Sequence, residues 1–378
     1  MTLAIHKLAE LETITETEID DFVDQHEFPI LEGSSITFVF RGQVDAVNLQ
    51  HWVFGLESSL PLTRLGETDI WHLTLDLPKR SRIEYKFDIV VEGRHEWIRD
   101  PFNPMMARDP YGANSVCCTH GYQTPEWTQH DSETRHGSVE EHILQDTAFG
   151  DDRSIQVYLP ARYRPTRNYP LLIVHDGMDY IRFANFRTVL DNLIHRLEIA
   201  HMIVVLTQAE DRLKEYAADP VHASFITNDV VPYMEQNFPI NPNPALRGLM
   251  GASFGAVASL YTSWSYQGVF GRLLLQSGSF AFTDIGQHQH GPAFDPIVPF
   301  VNKFRDDPGQ PAEKLFVSCG AYESLIYENR SLVPLLQASG MQVKYVEARD
   351  GHNWENWRDR LRAGLSWLFP GPLWMIYE

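Results

Sequence analysis

From Ser35 the chain alternates apolar and polar residues with a period of two, in Ile36-Thr37-Phe38-Val39-Phe40, Trp71-His72-Leu73-Thr74-Leu75-Asp76-Leu77 and Arg82-Ile83-Glu84-Tyr85-Lys86-Phe87-Asp88-Ile89. Successive side chains of a strand point to opposite faces, so such runs predict half-buried strands. Several short ones separated by turn residues predict a small all-β sandwich over residues 31–120. Ahead of it, Leu8, Leu11, Ile14, Ile19 and Phe22 recur at loosely helical spacing among acids, which predicts a helical N-terminal arm over residues 1–30. Residues 121–136, with Pro125 and many polar side chains, read as a linker.

After Gly137 the pattern changes. Short, largely apolar runs at 155–159, 171–174, 202–206 and 272–276 alternate with amphipathic stretches at 184–197 and 226–237. Strands that read as continuous hydrophobic runs are buried on both faces. Alternation with helices therefore predicts an α/β domain over residues 137–378, a mostly parallel sheet covered by helices on both faces. Parallel strands deliver their C-terminal loops to one edge, where chemistry collects.

One such junction carries Gly251-Ala252-Ser253-Phe254-Gly255, between an apolar run ending at Leu249-Met250 and the apolar stretch 256–264. A G-x-S-x-G pentapeptide between strand and helix is a nucleophile elbow: small neighbours let the backbone double back and lift the hydroxyl out. A serine hydroxyl is a poor nucleophile near neutral pH and needs a base, which in turn needs an orienting acid. In this fold the chain order is serine, acid, histidine. The strand-like run 314–319 ends in Gly320-Ala321-Tyr322-Glu323, so Glu323 is the expected acid. The run 342–348 opens into Arg349-Asp350-Gly351-His352-Asn353-Trp354, so His352 is the expected base. Asp350 competes with Glu323, but it stands only two residues from His352, where the backbone would have to fold back on itself; Glu355 and Asp295 are the remaining acids considered.

The oxyanion donors are expected to be backbone N–H groups: that of Phe254, after the serine, and one from Gly177 or Met178 at the end of the buried run 171–174. His175 and Asp176, in the same loop, are expected to shape it. The loop over 284–299 is expected to set the shape of the substrate pocket. The Gln287-His288-Gln289-His290 stretch lacks acidic or cysteine partners for its two histidines, so no metal is expected, and no cofactor either.

Composition narrows the setting. Among 378 residues, 50 acids against 31 Lys and Arg give a formal charge of −19, which disfavours nucleic acid and anionic membrane surfaces. Arg182, Arg187, Arg212 and Lys214 are the local cations available to receive an anionic substrate. The start of the chain lacks the basic head and apolar centre of a signal peptide, and three cysteines, two of them adjacent, supply no disulfide framework. A cytoplasmic protein is expected. Nothing in the sequence speaks to oligomeric state.

The segments Arg247-Gly248-Leu249-Met250-Gly251-Ala252-Ser253-Phe254-Gly255-Ala256, Phe270-Gly271, Leu275-Gln276-Ser277-Gly278-Ser279 and Gly351-His352-Asn353-Trp354 together resemble the enterochelin-esterase-like hydrolases of the esterase D group, over nearly the whole chain. The N-terminal part, from Val39-Phe40-Arg41-Gly42 through Asp100-Pro101-Phe102-Asn103-Pro104 to Gly112-Ala113-Asn114-Ser115, is similar to that family's immunoglobulin-like early-set domain and to glycogen-binding domains. The resemblance implies an α/β-hydrolase fold and a triad of Ser253, Glu323 and His352. It also implies an oxyanion loop at Asp176-Gly177 and an Arg-x-x-Glu signature at Arg212 and Glu215, read as an ion pair that orders its loop. Where the family has Gly-Gly-His, this chain has Asp350-Gly351-His352.

The expected function is a serine carboxylic-ester hydrolase working through an acyl-enzyme on a small-molecule ester, with an acyltransferase or a feruloyl or acetyl carbohydrate esterase as alternatives. Asp176, Arg212, Tyr322 and Trp354 are candidate substrate contacts; the rings of Tyr322, Tyr327, Trp354 and Trp357 offer faces for an aromatic or sugar ring. For Trp354 and Trp357, three apart at a helical start, core packing is the alternative. Trp52, Trp71 and Trp97 are candidate platforms for glycan contact by the N-terminal domain.

Overall fold

The computed structural model describes residues 2–283, 288 and 290–372. Residues 284–287 and Gln289, part of the loop expected to shape the pocket, lie outside them, as do 373–378. The described residues group into two compact units. One falls within Met1–Gln123, Ala321–Glu323 and Ala348–Asn353; the other within Thr124–Gly320, Ser324–Glu347 and Trp354–Glu378.

The first unit opens with two helices, α1 (Ala4–Ala9) and α2 (Glu16–Asp24), the second started by a capping box in which Thr15 and Glu18 satisfy each other's backbone groups. Ten strands follow: β1 (Ile30–Glu32), β2 (Ser35–Arg41), β3 (Ala46–His51), β4 (Leu60–Pro61), β5 (Thr63–Arg64), β6 (Ile70–Asp76), β7 (Arg82–Val91), β8 (Arg94–Ile98), β9 (Met106–Asp109) and β10 (Gly112–Cys118). They form two antiparallel sheets, β1-β2-β6-β5 and β4-β3-β7-β10-β9, with β8 also paired to β7. Phe38, Phe40 and Trp71 from one sheet pack with Leu49, Tyr85 and Phe87 from the other. Strand β2 is buried along almost its whole length because its other face is covered too: Val39, with Ile70, packs under Ile5, Leu8, Ile19 and Phe22 of the helical arm.

The second unit is built on an eight-stranded sheet, ordered β11-β12-β14-β13-β15-β16-β17-β18: β11 (Ser138–Leu144), β12 (Arg153–Leu159), β13 (Leu171–Val174), β14 (Ile203–Leu206), β15 (Arg247–Ala252), β16 (Arg272–Gln276), β17 (Lys314–Gly320) and β18 (Gln342–Ala348). Strands β14, β13, β15, β16 and β17 run parallel, whereas β11 and β12 form an antiparallel edge. The apolar runs divide by parity, as strands buried on both sides must. Leu171 and Ile173 join the core under α7 (Val231–Asn237), α8 (Phe254–Ser265), α9 (Ile297–Asp306) and α10 (Ile326–Ala338), with the short α5 (Arg212–Glu215) and α6 (Pro220–Ser224) ahead of them in the chain. Leu172 and Val174 join the core under α3 (Gly177–Phe183), α4 (Phe186–His195) and α11 (Trp354–Leu368). The helical stretch expected over 184–197 starts afresh at Asn185, which takes φ +49° between α3 and α4. The stretch expected over 226–237 begins as a π-helical turn, Phe225–Val230, before α7. Within the segment read as linker, residues 126–129 are tied down: Asn192 of α4 donates to the carbonyls of Trp127 at 2.9 Å and Gln129 at 2.8 Å. Among the described residues no helix is long and apolar enough to cross a membrane.

Candidate active site

Ser253 stands between β15 and α8 with φ +57° and ψ −120°. Outside glycine such a conformation costs on the order of 1–3 kcal/mol, and it persists only where its surroundings over-determine it. They do so here: the Ser253 N–H donates to the Gln276 carbonyl of the neighbouring strand at 2.9 Å. Gly251 has no room for a side chain, since a Cβ would lie 2.3 Å from the Gly255 carbonyl oxygen. The sharpness of the turn thus explains Gly251, whereas a Cβ on Gly255 would lie 3.2 Å from that of His175 in the α3 loop. The Ser253 hydroxyl lies 3.2 Å from that of Ser279, a neighbour the motif itself did not reveal. Phe254 opens α8, so its N–H belongs to the first turn, whose N–H groups have no acceptor within the helix.

The second oxyanion donor is corrected by the structure. The Gly177 N–H donates to the Thr207 carbonyl at 2.9 Å, so it is already committed. Glycine is required there for a different reason: a Cβ would lie 2.5 Å from that of Leu206. Met178, the next residue of α3, remains the candidate, with its N–H in the helix's first turn. Asp176 ends the strand-to-helix loop at φ +54° and is 1% exposed. Burial pushes its carboxyl up, and the Arg212 guanidinium pulls it back. Arg212 Nε reaches the two Asp176 oxygens at 3.0 and 2.9 Å, and Arg212 Nη2 donates to the Ala252 carbonyl at 3.3 Å. One guanidinium therefore ties the α3 loop to the elbow. The ion pair expected between Arg212 and Glu215 is not the one formed: Glu215 accepts from Arg153 Nη1 at 3.2 Å and from the N–H groups of Glu210 and Asp211 at 3.1 Å. His175 is fully buried behind the elbow helix, with its Nε2 3.0 Å from that of His222, and burial pushes it down to about 4. A neutral ring packed there shapes the loop.

Glu323 and His352 meet in the first unit. Glu323 lies three residues past β17 and His352 four past β18, and the imidazole Nδ1–H donates to Glu323 Oε2 at 2.6 Å. The carboxyl is 3% exposed, so the bond is made away from water. A neutral imidazole with its hydrogen on Nδ1 presents a lone pair at Nε2, the arrangement a general base requires. Asp350 is occupied elsewhere. Its Oδ1 accepts from the Gly351 N–H at 2.8 Å, from Asn353 Nδ2 at 2.8 Å and from Arg82 Nη1 at 3.2 Å. Asp295 accepts from His288 Nε2 at 2.9 Å.

Two aromatic candidates are redirected. Trp354, the first residue of α11, is 8% exposed and packs with Tyr180, Phe183 and Trp357, so the structure places it in the core. Tyr322 packs against the sandwich core with its hydroxyl 2.5 Å from that of Ser81. Of the proposed glycan platforms Trp71 is also core, its indole N–H donating to the Gly42 carbonyl at 3.2 Å, whereas Trp52 and Trp97 are about half exposed, at 49% and 54%.

Burial raises the Asp350 carboxyl from 3.8 to about 6, against the pull of Arg82, Asn353 and the Gly351 N–H. Between those two values the folded state binds the proton more tightly than the unfolded chain, so this group's contribution to stability falls as pH rises through the window and levels off above about 6. Asp350→Asn removes that contribution. The unfolding free energy of the variant minus that of the native protein is expected to increase as pH rises from about 4 to 6, measured by urea denaturation at stepped pH. A difference that stays constant or decreases over that range would contradict the assignment.

Known proteins resemble this chain in sequence and in fold. The iron(III) enterobactin esterase of Dickeya dadantii (strain 3937) is 24% identical over 353 residues, covering 82% of this chain and 79% of that protein. The uncharacterized protein YjcH of Bacillus subtilis (strain 168) is 27% identical over 150 residues, 38% of this chain, and the match spans 62% of that relative, less than two thirds of its length. The crystal structure of the enterobactin esterase from Shigella flexneri in the presence of enterobactin has a TM-score of 0.74 at 19% identity, covering 95% of this chain and 99% of that one, a likeness of fold. The family model described as putative esterase matches residues 147–368, which takes in β12 through α11 with the elbow, Glu323 and His352, and the chain belongs to that esterase family.

Proposed function

We propose that the protein is a serine carboxylic-ester hydrolase acting through an acyl-enzyme. The observation that carries this reading is the strained Ser253 at a strand-to-helix elbow, in a chain whose His352 holds its Nδ1–H on a buried carboxylate. Ser253 Oγ attacks the ester carbonyl carbon while its proton passes to His352 Nε2. The developing oxyanion accepts from the Phe254 and Met178 N–H groups, and Glu323 stabilises the imidazolium. Collapse expels the alcohol, which takes the proton from His352. Water, deprotonated by the same Nε2, then attacks the acyl-enzyme and releases the carboxylic acid.

Likeness to iron(III) enterobactin esterases over four fifths of the chain supports a siderophore-type or other aryl or acyl ester as substrate. A cytoplasmic location and a metal-free mechanism belong to the same reading. The exposed rings of Trp52 and Trp97 favour, as a second reading, a carbohydrate esterase whose N-terminal domain touches glycan. Comparison of kcat/KM for a catecholate trilactone with and without ferric iron, a feruloyl or acetyl sugar ester and a short-chain aryl ester tests the choice. The first class is expected to lead by at least about tenfold, equal to about 1.4 kcal/mol of transition-state binding. A lead by the sugar esters would favour the second reading, and acyl transfer to added alcohols in preference to water would make the protein a transferase.

A further inference from the structure

Both loops that carry the proposed acid and base belong to the first unit, with the sandwich. Strand β7 begins at Arg82, whose side chain is 3% exposed and whose N–H donates to the Arg349 carbonyl at 2.9 Å. Its guanidinium bridges two oxygens with one nitrogen: Nη1 donates to Asp350 Oδ1 at 3.2 Å and to Asn353 Oδ1 at 3.1 Å. Nη2 is held by Glu84 Oε1 at 3.0 Å, and Glu84 Oε2 in turn accepts from Asn114 Nδ2 of β10 at 2.8 Å. Asp350 and Asn353 flank His352, two residues before it and one after. Asn353 Nδ2 also donates to Asp350 Oδ1, which accepts from the Gly351 N–H as well.

The acid's loop is fixed by the same unit. The Phe54 N–H donates to the Tyr322 carbonyl at 2.7 Å, the Tyr322 N–H to the Asp350 carbonyl at 3.1 Å, and the Ala321 N–H to the Ala348 carbonyl at 2.7 Å. Arg349 Nη1 donates to the Lys79 carbonyl at 2.7 Å. The 350–353 backbone carries the His352 ring, whose Nδ1 meets Glu323, so how firmly that backbone is held bears on where the ring stands. We propose that Arg82 is a positioning residue for His352, and that the sandwich, through this guanidinium, sets the geometry of the proposed acid and base. The inference rests on the esterase reading above. A guanidinium fork suits the task because it can hold two acceptors in fixed relation, as a lysine ammonium on a flexible stem does not.

The test uses the full chain and four variants, each followed by Tm, kcat and KM on one aryl ester. Arg82→Met leaves Asp350 and Glu84 without their shared cation, so Tm is expected to fall; adding Asp350→Asn removes the more deeply buried of the two charges, and Tm is expected to recover in part. The kcat of the double variant is nevertheless expected to remain on the order of 10- to 100-fold low with KM nearly unchanged, the effect of a base displaced by a fraction of an ångström to an ångström. Arg82→Lys, which keeps the charge, is expected to show the same split more weakly. A purely structural role would make kcat follow Tm, so a double variant or a folded Arg82→Lys with native kcat overturns the proposal. Ser253→Ala, run alongside, separates the two ideas. Native turnover in that variant would sink the esterase reading, whereas its loss together with native kcat in the double variant would remove only Arg82's role.

Discussion

Ser253→Ala is expected to lower kcat by on the order of 10⁴-fold or more while leaving the protein folded. The size follows from removing the one protein atom that forms a bond to the acyl carbon in the proposed sequence; what remains is binding and the oxyanion donors acting on water. Little structural cost should accompany it. The hydroxyl's neighbour is the Ser279 hydroxyl at 3.2 Å, a bond at the long end of the range, and the turn itself is fixed by Gly251 and the backbone bond to Gln276. Stability is therefore expected to change by no more than about 1 kcal/mol. Steady-state turnover of an aryl ester together with thermal unfolding measures both. A variant retaining more than about a hundredth of native kcat would show that the ester is attacked by something else.

Glu323→Gln is expected to cost about 10³- to 10⁴-fold in kcat with small changes in KM and fold. The amide is nearly isosteric with the carboxyl it replaces at a site 3% exposed, so packing is kept. What changes is the proton. The carboxylate accepts from His352 Nδ1–H at 2.6 Å, whereas an amide can turn its NH₂ toward Nδ1 and select the tautomer with its hydrogen on Nε2, which cannot take the serine proton. Even in the right tautomer, the imidazolium of the transition state loses its counter-charge. Asp350→Asn serves as the comparison, because Asp350 spends its lone pairs on Gly351, Asn353 and Arg82. If Asp350→Asn gave the larger loss of kcat, the acid would have to be reassigned.

Much of this candidate site is legible in the sequence. The elbow could be read because two different constraints coincide on the same residues: an apolar run turning into a helical one, and small residues around a serine. Glu323 and His352 followed from their places after two apolar runs near the end of the chain. The misses share a cause, which is that a linear pattern reports a residue's neighbours in sequence and not its partners in space. Arg212 invited pairing with Glu215 three positions on, but meets Asp176, 36 positions back, while Glu215 meets Arg153, 62 positions back. Gly177 was the natural donor to expect in a loop built for close approach, yet its N–H closes on Thr207 of a neighbouring segment. Trp354 and Trp357 lie on a helix, where spacing alone leaves open which side is buried; α3 covers theirs. Arg82 gave no signal at all, being one charged residue in an alternating strand, 268 positions from Asp350.

The fold shows the same division. Parity along 171–174 and the alternation in β6 and β7 placed strands where they occur, because burial on one or two faces leaves a local imprint. Strand direction leaves none. The antiparallel pairing of β11 with β12, and of β12 with β14, depends on connections that hydrophobic periodicity does not record.

The central claim is that Ser253 becomes acylated. Intact mass and peptide mapping after brief exposure to an aryl fluorophosphonate test it most directly, since that reagent transfers its phosphonyl group to an activated serine and loses fluoride. One adduct per chain, mapped to Ser253 and formed far more slowly in Glu323→Gln, is the result expected. An unmodified Ser253, or an adduct that forms equally fast on another residue, would contradict the account.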